Sequence, residues 1–158
     1  MTRVPRRGLL ALALALATGW SRAVSSDDGD DQALLADADY AAGLASLKSG
    51  DAAAALPRFY SALKRFPNAA DLHNELGFAH RRLRQFNKAF KHYKRALAIN
   101  PQHRGAHEYI GEAYLLVGNV QEAERHLAAL RAICVLSCDE LKDLERAIAA
   151  HRKKATLR

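Results

Sequence analysis

Cys134 and Cys138 are the only cysteines in this chain of 158 residues, and they stand four apart. In an exported chain an even, close pair is most simply a disulfide. So short a loop would add only about 2 kcal/mol in the chain-entropy model. Free thiols and a redox or metal role remain the alternatives. The spacing is not the Cys-x2-Cys of redox dithiols, and no histidine follows Cys138 as c-type haem attachment requires. Seven histidines raise the question of metal. His103 and His107, four apart, can share one helix face, but no carboxylate or cysteine completes a four-ligand set by spacing, so neither metal nor cofactor is expected. Arg81, Arg82, Arg84, Lys88, Lys91, Lys94 and Arg95 form a basic cluster that could meet phosphates. No aromatic side chains interleave them as a single-strand binder would want, and a solvated helix face accounts for the run. There is no nucleophile elbow, phosphate loop or His-Glu-x2-His helix, so no enzymatic activity is expected.

The elements that carry these residues follow a fixed period. Gly43, Gly77 and Gly111 are 34 residues apart, as are Ala55, Ala89 and Ala123. The column Phe59, Tyr93, Leu127 keeps the same spacing, and so do Pro67 and Pro101, with Val135 in third place. This period, with Leu-Gly, Ala and aromatic-then-Pro positions, resembles the tetratricopeptide repeat. The resemblance covers about 36–67, 70–101 and 104–135, within a domain of 34–136. It implies an all-α, right-handed α-solenoid of three helix-turn-helix repeats, closed by a capping helix over 137–154 and a short tail, 155–158. The alanine- and leucine-rich composition suits helices. Asp51 and Asn119 are placed to cap second helices, Asn119 with Glu122 as a capping box, and Gly50 and Gly118 mark turns. Ser137 to Glu140 has capping-box spacing for the last helix, and Pro57 is expected to bend the second. His73 and His107 share a repeat position, which favours packing over metal binding.

Arg3, Arg6 and Arg7, an apolar stretch to Ala17 and small residues before Ala23 read as an export signal over 1–23. Arg6-Arg7 also resembles a twin-arginine signal, and mitochondrial import is the alternative address. An acidic flexible linker is expected over 24–33. Cleavage after Ala23 would reduce the net charge from +7 to +3. A periplasmic location is the expectation.

Family members bind partners in a concave groove lined by the first helix of each repeat. Carried over, the groove positions are Tyr40, Leu44 and Lys48, then Asn74, Phe78, Arg81 and Arg82, then Glu108, Tyr109 and Glu112. Tyr40, Phe78 and Tyr109 are expected as anchors, with Arg81 and Arg82 toward acidic groups and Asn74 toward a peptide backbone. Some members clamp the acidic tail of heat-shock chaperones with Lys and Asn on the first repeat and Lys and Arg on the third. Here Tyr40, Leu44, Gly105 and Tyr109 stand at those positions, so the resemblance argues against that ligand. The expected function is a non-enzymatic adaptor that binds a protein or extended peptide during assembly of an envelope or redox complex. No small-molecule substrate is expected. The alternatives are polyanion or nucleic-acid binding through the basic cluster, or self-assembly through the groove or cap.

Overall fold

The computed structural model describes residues 32–157. The expected signal lies outside them, as does the linker except Gln32 and Ala33, which open a helical stretch at 32–35. After it come α1 (Ala38–Lys48), α2 (Ala52–Leu63), α3 (Ala70–Arg82), α4 (Phe86–Ile99), α5 (Arg104–Leu116), α6 (Val120–Ile133) and α7 (Asp139–Thr156). There are no strands among the described residues. Helices α1 to α6 form three antiparallel hairpins stacked in order, and α7 packs on α5 and α6.

Local chemistry sets the boundaries. The Tyr40 amide donates to Asp37 Oδ1 at 2.9 Å, and the Ala54 amide to Asp51 Oδ1 at 2.9 Å. Asn119 Oδ1 accepts from the Glu122 amide at 3.2 Å, and His103 Nδ1 from the Ala106 amide at 3.2 Å. Each bond satisfies one of the orphan donors of a first turn. The turn inside each hairpin needs left-handed backbone: φ is +87° at Gly50 and +80° at Gly118. The middle repeat places Arg84 there with φ +57°. Helix α2 runs unbroken through Pro57. The Ser137 cap is corrected: Cys138, extended at φ −136° and ψ 161°, is the N-cap of α7 and makes no side-chain cap bond.

The stacking rests on the 34-residue columns. Phe59 and Tyr93 are fully buried, each against the glycine of the preceding helix. A Cβ on Gly77 would lie 2.5 Å from the Tyr93 ring, so the glycine is what lets the helices of the hairpin close. At Gly111 the nearest atoms belong instead to Leu144 of α7, 2.7 Å from an added Cβ. The cap helix thus supplies by Leu144 the plug that an aromatic supplies elsewhere, and Ile148 one turn on extends the seam. Leu34 seals the other end of the stack.

Candidate functional site

Packing of α3 against α5 brings together residues 31 apart: Asn74 with Gly105, Phe78 with Tyr109 and Arg81 with Glu112. The rings of Phe78 and Tyr109 meet at 5.1 Å, and the Arg81 guanidinium lies over both, 5.1 and 5.3 Å from the centroids. Its Nη1 donates to Glu112 Oε2 at 2.5 Å, and the Arg81 side chain is only 13% exposed. Arg81 is therefore neutralised and stacked within the face, and is not held out toward acidic groups as expected. Arg82 is exposed and lies 5.9 Å from the Phe78 centroid. With Arg84, Phe86 and Leu116 it borders an open concavity at the C-terminal end of α3.

Polar groups at the opposite end of this face are under-satisfied. Asn74 is 5% exposed; its Nδ2 donates to Glu75 Oε1 at 3.3 Å, while its Oδ1 is enclosed with no hydrogen-bond partner. The Tyr93 hydroxyl below is pushed up by burial, opposed by the charge and hydrogen bond of Arg81. Burial pushes the Glu75 carboxyl up to about 7, with Asp71 adding to the rise against the Asn74 bond and His103. Burial also pushes Glu108 up to about 7, reinforced by Glu112, Asp143 and Glu140 and opposed by Arg81. Glu108 is 8% exposed, and neither it nor Glu75 has an ion-pair partner among the described residues. Buried groups of this kind cost stability unless something else satisfies them.

Two further placements correct the expected groove. Tyr40 is 5% exposed and packs on Phe59 at 6.0 Å, so it belongs to the core of the first hairpin and is no surface anchor. The cause is its register: it sits beside Gly43, on the face that receives the Phe59 ring. Leu44 and Lys48 are exposed on α1 and take no part in the α3–α5 cluster. The seven basic residues do not make one patch. Lys88, Lys91, Lys94 and Arg95 are exposed on α4, whereas Arg81, Arg82 and Arg84 belong to the end of α3 and its turn. Glu75, missing from the expected groove, could have been found by stepping back 34 residues from Tyr109.

The histidines do a different job: they join the two helices of a hairpin to each other and, through Tyr60, to the preceding second helix. His73 Nε2 lies 3.1 Å from the Pro67 carbonyl, which can only accept, so that nitrogen carries the proton. Its Nδ1 then accepts from His92 Nδ1 at 3.1 Å, which leaves His92 Nε2 to accept from the Tyr60 hydroxyl at 3.3 Å. His80 Nε2, 2.9 Å away, competes for the same Tyr60 proton, because His80 Nδ1 donates to Gln85 Oε1 at 2.8 Å. One repeat later Pro101, His107 and His126 reproduce the first two links at 3.0 and 2.9 Å. Burial and neighbouring histidines hold His92 and His126 down to about 4. His103 caps α5, with Nε2 2.9 Å from Asp71 Oδ1. The Cys134 and Cys138 sulfurs are bonded across the turn between α6 and α7, with Cα atoms 5.8 Å apart. No described helix is long and apolar enough to cross a membrane.

Comparison with known proteins agrees with this architecture. The family model for the tetratricopeptide repeat matches residues 70–103. The first such domain of Spaghetti (RPAP3), solved bound to the HSP90 peptide SRMEEVD, superposes with a TM-score of 0.65 at 19% identity, over 75% of this chain and 95% of that one. SycD, the type III secretion translocator chaperone of Yersinia enterocolitica, gives 0.62 at 17% identity, over 82% and 93% of the two chains. MamA of AMB-1 gives 0.55 at 22% identity, over 73% of this chain and 66% of its own. One repeat, residues 70–103, is thus matched in sequence, and the stacked hairpins share the fold of tetratricopeptide repeat structures.

Proposed function

We propose that this protein is a non-catalytic adaptor that holds an extended segment of another protein across α3 and α5. The observation that carries the reading is the enclosed, unpartnered Asn74 Oδ1 beside the stacked Phe78 and Tyr109 rings. An amide next to an aromatic platform suits a peptide backbone: the rings take apolar area, and the amide takes main-chain hydrogen bonds. Spaghetti, solved with a bound peptide, gives the precedent of a similar fold. Its ligand is acidic, whereas Glu75 and Glu108 line the face here, so a ligand of that composition does not suit this chain.

The compartment is part of the proposal. Arg3, Arg6, Arg7 and the apolar stretch after them direct export, and cleavage near Ala23 leaves a periplasmic protein that serves assembly of an envelope or redox complex. An oxidising compartment keeps the Cys134–Cys138 bond closed and α7 pinned to the third hairpin. Intact mass of protein from cell fractions, with and without reductant and alkylation, tests this: a periplasmic, oxidised species beginning near Val24 is expected. A full-length, reduced cytoplasmic species would overturn the address. For the groove, proteins that co-purify in stoichiometric amount should be lost from an Asn74→Ala, Phe78→Ala variant of unchanged helicity and kept by Lys91→Ala, Lys94→Ala. The reverse pattern would move the binding face to α4.

A further inference from the structure

The α3–α5 face has a charge character of its own. Carboxyl groups approach it from three helices: Glu75 from α3, Glu108 and Glu112 from α5, and Glu140 and Asp143 from α7. One of these, Glu112, is answered from within the face, by Arg81. Glu140 and Asp143 have Arg104, 3.7 Å away, and Arg146 at the rim. Asp71 is held by His103 at 2.9 Å. Among the described residues Glu75 and Glu108 have no ion-pair partner, His103 and Arg81 acting on them only at longer range, and Glu75 receives one hydrogen bond, from Asn74, whose own Oδ1 is enclosed without a partner.

We propose that the segment bound here carries a lysine or arginine side chain, whose cation seats against an unpaired carboxylate of this face, Glu75 or Glu108. This rests on the reading that α3 and α5 bind an extended segment, and it names what that segment must contain. The physical case is complementarity. A cation brought to a buried, unpaired carboxylate in low dielectric gains charge-assisted hydrogen bonds that the unbound protein lacks. The Phe78 and Tyr109 rings beside them give the methylene stem an apolar track, in the way they already flatten against Arg81. The same carboxyls repel an acidic ligand, which sets specificity by exclusion. Because both stand at about 7 in the free protein, seating the cation displaces protons, so binding must tighten with rising pH.

The test uses the full oxidised chain and a phage-displayed library of random peptides. Selection is followed by anisotropy titration of the leading synthetic peptide on wild type and on the Glu75→Gln, Glu108→Gln variant. Expected are sequences with a fixed Lys or Arg, affinity lost at least roughly tenfold on changing that residue to norleucine and on the double substitution, and tightening of roughly tenfold from pH 5.5 to pH 8. The pH arm needs no variant. Enrichment of acidic or purely apolar peptides that still depend on Phe78 would overturn the cation while keeping the groove. Basic peptides indifferent to both glutamates and to pH would overturn it too. No enrichment at all would count against the groove itself.

Discussion

Glu75 and Glu108 resist ionisation for the reason that His73, His92, His107 and His126 resist protonation: burial of a group whose charged form has nothing to answer it. The two sets push stability in opposite directions. A histidine held at about 4 in the fold and titrating at 6.5 when unfolded contributes stability above 6.5 and loses it as pH falls toward 4. For His92 alone that is on the order of 3 kcal/mol. Lys91 beside His92 and Lys94 beside His126 act with burial in this. A carboxyl raised from 4.5 to about 7 does the reverse: the fold gains as pH falls from 7 to 4.5. Wild type should therefore change little in urea midpoint between pH 7.5 and 5, while Glu75→Gln, Glu108→Gln should lose several kcal/mol over that range. A variant as indifferent to pH as wild type would show that the histidine chain does not keep its rings neutral. A second residue invites change outright. Arg84 holds the left-handed backbone that Gly50 and Gly118 hold in the other repeats, so Arg84→Gly should stabilise by about 1 kcal/mol despite losing its stacking on Phe86. A fall in melting temperature would mean that the stacking outweighs the strain.

At the scale of elements, the hairpins were legible because their determinants are local and repeated. Asp51 and Asn119 cap where their spacing said, and the glycine, alanine and aromatic columns meet as the period requires. What the period could not convey is how one column changes character along the stack. Tyr40, Asn74 and Glu108 are equivalent in sequence, yet the first is core, the second a half-satisfied amide and the third a carboxyl at the groove. The difference comes from the neighbouring repeat, present on both sides of α3 and replaced by α7 beyond α5. The last cap failed for a similar reason: Cys138, tied to Cys134, takes the extended conformation that starts α7. The histidine chain was hidden because a Nδ1-to-Nδ1 bond joins two helices, and His73 alone predicts only a buried side chain. Glycine columns give an element-scale prediction. Gly77→Ala should destabilise by roughly 3 kcal/mol, since its Cβ would sit 2.5 Å from the fully buried Tyr93 ring. Gly105→Ala, where the nearest atom is Asn74 Nδ2 at 3.6 Å, should be neutral or stabilising through helix propensity. Thermal melts of the pair decide it, and equal losses would contradict the close approach.

Across the whole molecule, three hairpins and a cap bury successive apolar clusters along the stack and leave the first helices with a face of their own. Stacking secures the fold through small residues, plugs and the histidine chain, and polar groups that would have served stability better if paired are left on α3 and α5. That division, a satisfied seam behind and an unsatisfied face in front, is the basis for placing the function on the face. Site-specific photo-crosslinking in cells tests it most directly. A benzophenone amino acid is placed in turn at Phe78, Tyr109, Lys91 and Lys94, and adducts are resolved by mass. Discrete adducts from positions 78 and 109, lost when Asn74→Ala is added, with none from 91 and 94, are predicted. Adducts confined to positions 91 and 94 would contradict the account and transfer the binding surface to the outer face of α4.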